Sequence, residues 1–124
     1  MKDNTCIRQQ ADLEQIERCR KTAATLDGPM DQLADRVLLL GNPVRLKILY
    51  LLHGEGRLCV CDLSDILGMT VPAVSQHLRK LRDRGFIKAQ REAQTIFYSL
   101  QRDNEPLLLP LFGLLDRDKI PQPI

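Results

Sequence analysis

The sequence has no long hydrophobic run. Its apolar stretches are short, such as Val37 to Leu40, whereas a membrane-spanning helix needs about 20 consecutive apolar residues. The start, Met1-Lys2-Asp3-Asn4, is polar and has no apolar segment of the secretory type. We therefore expect a cytoplasmic protein with no membrane partner. The 124 residues suit one domain that buries a core without crosslinks.

The chain also lacks a catalytic signature and a strong excess of charge. It has no Cys-x-x-Cys spacing and no evident catalytic partner for a thiol, which places a thiol oxidoreductase or a metal chaperone last among the candidate functions. We therefore predict that it is not an enzyme and uses no organic cofactor. The formal net charge is only +2, so a basic surface, if present, must be local. The four cysteines of a cytoplasmic protein indicate metal binding, redox chemistry or core packing.

Hydrophobic periodicity predicts three helices in the first half of the chain. Residues 1–10 have no apolar period and are typical of a flexible arm. A helix with one apolar stripe is expected over about 13–26, ended by Asp27-Gly28-Pro29, and a second over about 30–40. Asn42-Pro43 then caps a third, which runs to Gly54-Glu55-Gly56. The whole domain is predicted to span residues 11–117, with a short tail over 118–124.

Two further helices are predicted over about 61–67 and 70–84, joined by a short turn at Gly68-Met69. Such a pair is a helix-turn-helix. Residues 86–91 and 95–100 then read as two strands around the turn Glu92-Ala93-Gln94, which makes a hairpin or wing. The expected fold is mainly α with a β-hairpin wing, a winged helix-turn-helix.

The last predicted helix, over about 104–117, is almost entirely leucine, and Pro110 is expected to kink or split it. Its apolar residues surround the helix and cannot all face one small core. Because symmetric pairs are the commonest oligomers, we expect a homodimer. The alternative is a loosely packed core helix.

The helix over 70–84 carries a strongly basic face opposite its apolar stripe. Ser75, Gln76 and His77 lie near its start, where side chains of these types contact base edges in the major groove of double-stranded DNA. The residues expected to neutralise phosphates are Arg79, Lys80, Arg82 and, on the hairpin, Arg91. A basic run alone is usually a solvated helix face, but its combination with a turned helix pair and a basic hairpin favours DNA binding.

Three segments carry a resemblance to a known family: Leu40-Gly41-Asn42-Pro43-Val44-Arg45-Leu46-Lys47-Ile48-Leu49, Leu58-Cys59-Val60-Cys61-Asp62-Leu63 and Val74-Ser75-Gln76-His77-Leu78-Arg79-Lys80-Leu81. Over about residues 30–100 the chain resembles the ArsR/SmtB family of winged-helix metal-sensing repressors. The resemblance implies a homodimer that binds a palindromic operator and leaves it when a metal ion or metalloid binds. The family often has glycine in the hairpin turn where this chain has Ala93, so we expect a wider turn.

Cys59 and Cys61 form the predicted chelating pair, because both thiols stand at a helix start where they can converge on one soft ion. In arsenite-responsive members of the family the third sulfur comes three residues after the second cysteine, a position that is Ser64 here. A third thiolate must then come from elsewhere. Cys6 is the first choice, since Asp3-Asn4-Thr5-Cys6 resembles the arm of cadmium- and lead-sensing members, which reaches the other protomer. Cys19 lies on an apolar stripe, which favours packing, and is the further candidate ligand.

The effector expected for such a site is Cd(II), Pb(II) or Hg(II), with As(III) open if Cys6 or Cys19 supplies the third sulfur. His53 and His77 are the only histidines, so the family's second type of site, built from histidines and carboxylates, has no counterpart. A rival hypothesis keeps the DNA-binding fold and makes the thiols a redox switch. A DNA-binding protein without an effector is the remaining alternative.

Overall fold

The computed structural model describes residues 6–115, so the start of the arm and the 118–124 tail lie outside the described residues. The chain has two compact units, one up to Asp35 and one from Arg36 onward. The single domain expected over 11–117 stays a prediction. No helix within the described range is long and apolar enough to cross a membrane.

The first unit is helical, and its predicted helix break is displaced. Helix α1 spans Leu13–Thr25, and the Asp12 side chain caps it by accepting a hydrogen bond from the backbone N–H of Gln15 at 3.0 Å. Helix α2 spans Asp27–Leu40 and continues into the second unit. The predicted break therefore exists but lies at Leu26, one residue before Asp27-Gly28-Pro29. These residues form the first turn of α2, where proline is tolerated because the N–H it lacks has no partner within the helix.

The second unit holds the predicted helix pair and wing. Its helices are α3 (Pro43–Glu55), α4 (Val60–Leu67), α5 (Val71–Asp83) and α6 (Glu105–Phe112). Its strands are β1 (Leu58–Cys59), β2 (Ile87–Glu92) and β3 (Thr95–Leu100), and a 3-10 turn covers Arg102–Asn104. The mainly helical winged helix-turn-helix class is thereby confirmed.

Local caps explain where α3 and α5 begin. The Asn42 side chain accepts hydrogen bonds from the backbone N–H groups of Val44 and Arg45, at 2.9 and 3.1 Å. Thr70 accepts one from Ala73 at 3.3 Å. Each helix has a proline in its first turn, where the fixed φ of proline suits the helix.

One hydrophobic core joins α3, α4, α5 and α6 to the sheet. Its members share an exposure of 5% or less and are Leu40, Ile48, Leu49, Leu52, Leu63, Val74, Leu78, Leu81, Phe86, Ile87, Leu108 and Phe112. Three of them, Val74, Leu78 and Leu81, are the predicted apolar stripe of α5. Their burial turns the opposite face of α5 to solvent.

The sheet has three strands in the order β1-β3-β2, all antiparallel. Sequence patterning missed β1, because a two-residue strand has no periodicity. Phe86 was predicted to start a strand and instead fills the core before β2. The expectation of a wider wing turn is wrong as well. Glu92 pairs with Thr95, and Ala93 takes a left-handed φ of +57°, a conformation that costs a non-glycine residue about 1–2 kcal/mol.

Helix α6 is shorter than predicted and leaves apolar surface uncovered. It runs through Pro110 without splitting and ends at Phe112, while the predicted end at Arg117 lies outside the described residues. A groove of about 710 Å³ lies beside it. The apolar side chains that form this groove come from the end of α2, from α3 and from α6 onward, and include Val37, Leu40, Leu46, Tyr50, Leu107, Leu111, Leu114 and Leu115. Within this unit, therefore, a substantial apolar face is turned to solvent.

Candidate functional site

Helices α4 and α5, together with the wing formed by β2 and β3, are here called the reader. Gly68 ends α4 in a left-handed conformation with φ +65°, which glycine adopts without strain. The Met69 N–H donates to the Ser64 carbonyl at 3.2 Å, and the Ser64 hydroxyl donates to the Met69 carbonyl. Ser64, which replaces the third cysteine of the arsenite-type pattern, therefore holds the turn between the two helices.

The outward face of α5 displays the side chains predicted to contact DNA. Ser75, Gln76, Arg79, Lys80 and Arg82 are all exposed. Arg91 is exposed on β2. The buried stripe of α5 anchors this face, and its side chains present both hydrogen-bonding groups and positive charge to solvent. Their contacts with bases and phosphates stay a prediction.

His77 differs from its neighbours because it is half-buried. Its Nδ1 is shielded from solvent and has no hydrogen-bond partner among residues 6–115. Burial lowers the pKa of the imidazole below its ordinary value of 6.5, and the positive charges of Arg45 and Lys80 lower it further. His77 is thus held neutral close to the basic face, and its role at base edges stays a prediction.

The lowered pKa of His77 predicts an acid-sensitive fold. Because the folded protein binds this proton less readily than the unfolded chain, stability contributed by neutral His77 is present above about pH 6.5 and is lost as the pH falls through the folded pKa. Between pH 7.5 and 5.5 the melting temperature of His77→Gln should therefore fall less than that of wild type. His53→Gln, at an exposed position, is the control and should follow wild type. Equal falls for His77→Gln and wild type would contradict this prediction.

The predicted thiol pair lies where the sheet meets the reader. Cys59 is the N-cap of α4, with extended backbone angles of φ −92° and ψ 167°, and it pairs with Phe97 of β3. Cys61 lies in the first turn of α4 and is exposed, while Cys59 is half-buried. Both thiols are free. A soft ion held by these sulfurs would contact the first helix of the reader and the strand that pairs with the wing.

The other two cysteines are exposed as well. Cys6 lies in the described part of the arm, and Cys19 lies on α1. Within one chain Cys19 is not packed into a core, because none of the described residues of α1 is buried, and its interpretation as a packing residue stays a prediction. Within residues 6–115 of one chain, no group of three His, Cys, Asp or Glu side chains is placed to hold a metal ion. Two sulfurs fit a soft ion only in part, so a closed site needs a donor from outside this set.

An ion pair missed by the sequence reasoning links the thiol segment to the wing. The Arg57 guanidinium, two residues before Cys59, bonds the Glu92 carboxylate at the end of β2. Its central carbon lies 4.0 Å from the centroid of the Phe97 ring. The hydrogen bond from Arg57 lowers the pKa of the Glu92 carboxyl, and the same bond raises the pKa of Arg57. No pattern in the sequence pairs residues this far apart.

Comparison with known proteins relates these features to a protein family. The family model described as bacterial regulatory protein, arsR family, matches residues 42–89. A Staphylococcus aureus protein named cadmium resistance transcriptional regulatory protein CadC homolog is 35% identical over 105 residues, 85% of each chain. The structure of reduced HlyU from Vibrio cholerae N16961 matches with a TM-score of 0.66 and 30% identity, covering 74% of this chain and 97% of that one.

A third match concerns assembly. The solution structure of the homodimeric winged helix-turn-helix DNA-binding domain of Mb0332 from Mycobacterium bovis, a possible ArsR-family transcriptional regulator, matches with a TM-score of 0.64 and 27% identity. It covers 92% of this chain and 94% of that one. The family model and these relatives describe transcriptional regulators, not enzymes. The family match itself runs from the start of α3 into β2, the part that holds the thiol pair and the basic face.

Proposed function

The chain belongs to the arsR family of bacterial regulatory proteins, and from this premise we propose that it is a homodimeric repressor released from operator DNA by a thiophilic metal ion. The observation that carries the proposal is the place of the thiol pair. Cys59 pairs with the wing strand β3, and Cys61 lies in the first turn of α4, the first helix of the reader. An ion at these sulfurs therefore acts on both parts of the DNA-binding surface.

Metal binding is coupled to DNA binding because few residues separate the thiol pair from the DNA-binding surface. To converge on one ion, the sulfurs draw the extended Cys59 and the helical Cys61 together and release their protons. A shift of Cys59 pulls on Phe97 and the wing, while a shift of Cys61 pulls on α4, whose Leu63 is fully buried in the core shared with α5. A complete switch from about 99:1 bound to 1:99 requires roughly 5.5 kcal/mol of difference in affinity between metal-free and metal-bound states.

Double-stranded operator DNA and a second copy of the chain are the proposed partners. The apolar groove beside α6, with exposed Leu109, Leu114 and Leu115, is the surface that a second copy would cover. The homodimeric state of the Mb0332 domain supports this assignment. Two readers related by a two-fold axis suit a palindromic operator with half-sites about one helical turn apart.

The proposed ligands are Cys59, Cys61 and Cys6, with Cys6 given by the partner's arm and Cys19 as a further candidate. The exposure of both Cys6 and Cys19 supports their availability to an ion. Cd(II) is the first effector to test because of the cadmium-resistance relative, and Pb(II), Hg(II) and As(III) have the same preference for sulfur.

Removing the third ligand is expected to change the metal's spectrum. The ultraviolet sulfur-to-metal band that develops during a Cd(II) titration should lose about one third of its intensity in Cys6→Ser, since one of three sulfurs is removed. Cys19→Ser should keep the wild-type band. An unchanged band in Cys6→Ser with a reduced band in Cys19→Ser would give the ligand role to Cys19, and no change in either would remove the proposed third ligand.

A redox switch is the second candidate, favoured by the similarity to reduced HlyU and by four free thiols. In that reaction two thiols, Cys6 with Cys59 or Cys61, and one hydrogen peroxide would give one disulfide and two waters. One comparison distinguishes the metal sensor from the redox switch. Thiol titration and DNA binding are followed in parallel after mild peroxide and, in a second sample, after Cd(II) under reducing conditions.

The test of the proposed function starts from selection of duplexes that the protein prefers in a random pool. Fluorescence anisotropy then measures its affinity for a selected duplex. Cd(II), Pb(II), Hg(II) or As(III) should weaken this affinity at least about tenfold, which corresponds to about 1.4 kcal/mol of coupling. If none of the four weakens binding, the metal-sensor proposal is wrong. Weakening by peroxide alone would favour the redox candidate.

A further inference from the structure

Asn104 is a buried polar side chain at the base of the reader. This residue is 5% exposed, and among the described residues Asn104 is the polar one that is buried. Its amide nitrogen donates to the Gly85 carbonyl at 2.6 Å, and its Oδ1 accepts a hydrogen bond from Nη2 of Arg36. Both ends of the amide are therefore bonded. A buried amide satisfied on both sides specifies one arrangement, because any other leaves a polar group unpaired.

The turn that Asn104 contacts joins recognition helix α5 to the wing. Gly85 takes a left-handed φ of +77°, and the N–H groups of Gly85 and Phe86 donate back to carbonyls of α5 at 3.0 and 2.9 Å. The carbonyls of the same two residues point the other way and accept from the C-terminal segment, from Asn104 and from the Gln101 N–H at 2.9 Å. The turn is thus clamped between α5 and the segment over 101–104.

Arg36 connects this clamp to α2. Its guanidinium carbon lies 5.2 Å from the centroid of the Phe86 ring, which is fully buried. The same side chain bonds Asn104, so the C-terminal part of α2 holds the reader's turn through a hydrogen bond and a cation–π contact. Val37, the next residue, lines the apolar groove. The reader's turn is therefore in contact with the helix that borders the proposed dimer surface.

We infer that Asn104 is a positioning residue for DNA recognition: its amide sets the angle between α5 and the wing, and Arg36 holds the amide in place. The inference rests on the proposed function, because it requires an operator that the wild type prefers. Residues on α5 and Arg91 on β2 contact one duplex together only if this angle is maintained. A looser turn lowers the affinity for the preferred duplex. Contacts of a few basic residues with any duplex persist.

The test compares affinity for a selected duplex with affinity for a random duplex, at one salt concentration and well below the melting temperature. Asn104→Ala should lower the specific-to-random ratio about tenfold, the equivalent of about 1.4 kcal/mol. Asn104→Asp should lower it at least as much: the carboxylate still accepts from Arg36, but it has no N–H for the Gly85 carbonyl and its negative charge repels that carbonyl oxygen. Arg102→Ala, an exposed change in the same 3-10 turn, is the matched control and should keep the wild-type ratio.

A purely structural role would lower stability and leave the ratio unchanged, since unfolded molecules reduce both affinities equally. An unchanged ratio in folded Asn104→Ala overturns the inference. If Asn104→Ala does not fold, Arg36→Gln decides: a ratio lowered about threefold or more supports the inference, and a wild-type ratio overturns it. A wild type that shows no preference for any duplex contradicts the proposed function itself, which distinguishes the two failures.

Discussion

Serine in place of Cys59 or Cys61 is expected to abolish release of operator DNA by Cd(II) while metal-free binding persists. A hydroxyl stays protonated and binds soft ions poorly, so each change removes one ligand from the site. Structural Zn(II) sites with four ligands, taken as the reference, yield about 10–16 kcal/mol, or roughly 3 kcal/mol per ligand if shared equally. Removal of one sulfur should then weaken Cd(II) binding about a hundredfold or more.

Anisotropy of a selected duplex, with and without Cd(II), measures this effect. Neither thiol belongs to the exposed face of α5, so both variants should bind the duplex with wild-type affinity before metal is added. Asp65→Asn, an exposed change on the same helix, is the control and should respond to Cd(II) like wild type. Normal release in a Cys59→Ser, Cys61→Ser double variant would show that the thiol pair is not the sensor.

The second large effect on DNA affinity is expected from substitutions on the exposed face of α5. Gln76 and Arg79 are both exposed, and we propose that Gln76 contacts a base edge and Arg79 a phosphate, two contacts with different signatures. Gln76→Ala should cost about 1–3 kcal/mol with the selected duplex and little with a random one. Arg79→Ala should weaken both. It should also lower the slope of log affinity against log salt by about 0.9, because one phosphate is no longer neutralised.

Salt titrations with selected and random duplexes separate these roles. Arg102→Ala again serves as the control, because it removes one exposed positive charge outside α5 and the wing. If Arg79→Ala changes no more than this control, the basic face of α5 is a solvated surface rather than a DNA-binding one.

The fold was predictable where local chemistry decides it. The caps Asn42 and Thr70, each followed by a proline in the first turn, set the starts of α3 and α5, and the stripe of Val74, Leu78 and Leu81 set the buried face. These signals lie within a few residues of the element they specify. The basic face could be located for the same reason, since it is the complement of that stripe.

Features that depend on distant residues could not be predicted. Arg57 meets Glu92 across 35 positions, and Arg36 meets Asn104 across 68. Periodicity on α1 likewise predicted a buried stripe that included Cys19, but a pattern does not say whether the covering surface belongs to the same chain. The thiol pair was recognisable from spacing, whereas the proposed third ligand, Cys6 of a partner copy, was suggested only by the resemblance of Asp3-Asn4-Thr5-Cys6 to the arm of family members.

In the proposed function, an ion at Cys59 and Cys61 controls DNA binding. The most direct measurement is a Cd(II) titration of the protein on a labelled operator duplex, with the sulfur-to-metal absorbance and the anisotropy recorded in the same cuvette. We expect the anisotropy to fall in step with the rise of the absorbance band and to reach its limit at the same equivalence point. A band that saturates while the anisotropy stays at its bound value would contradict this expectation.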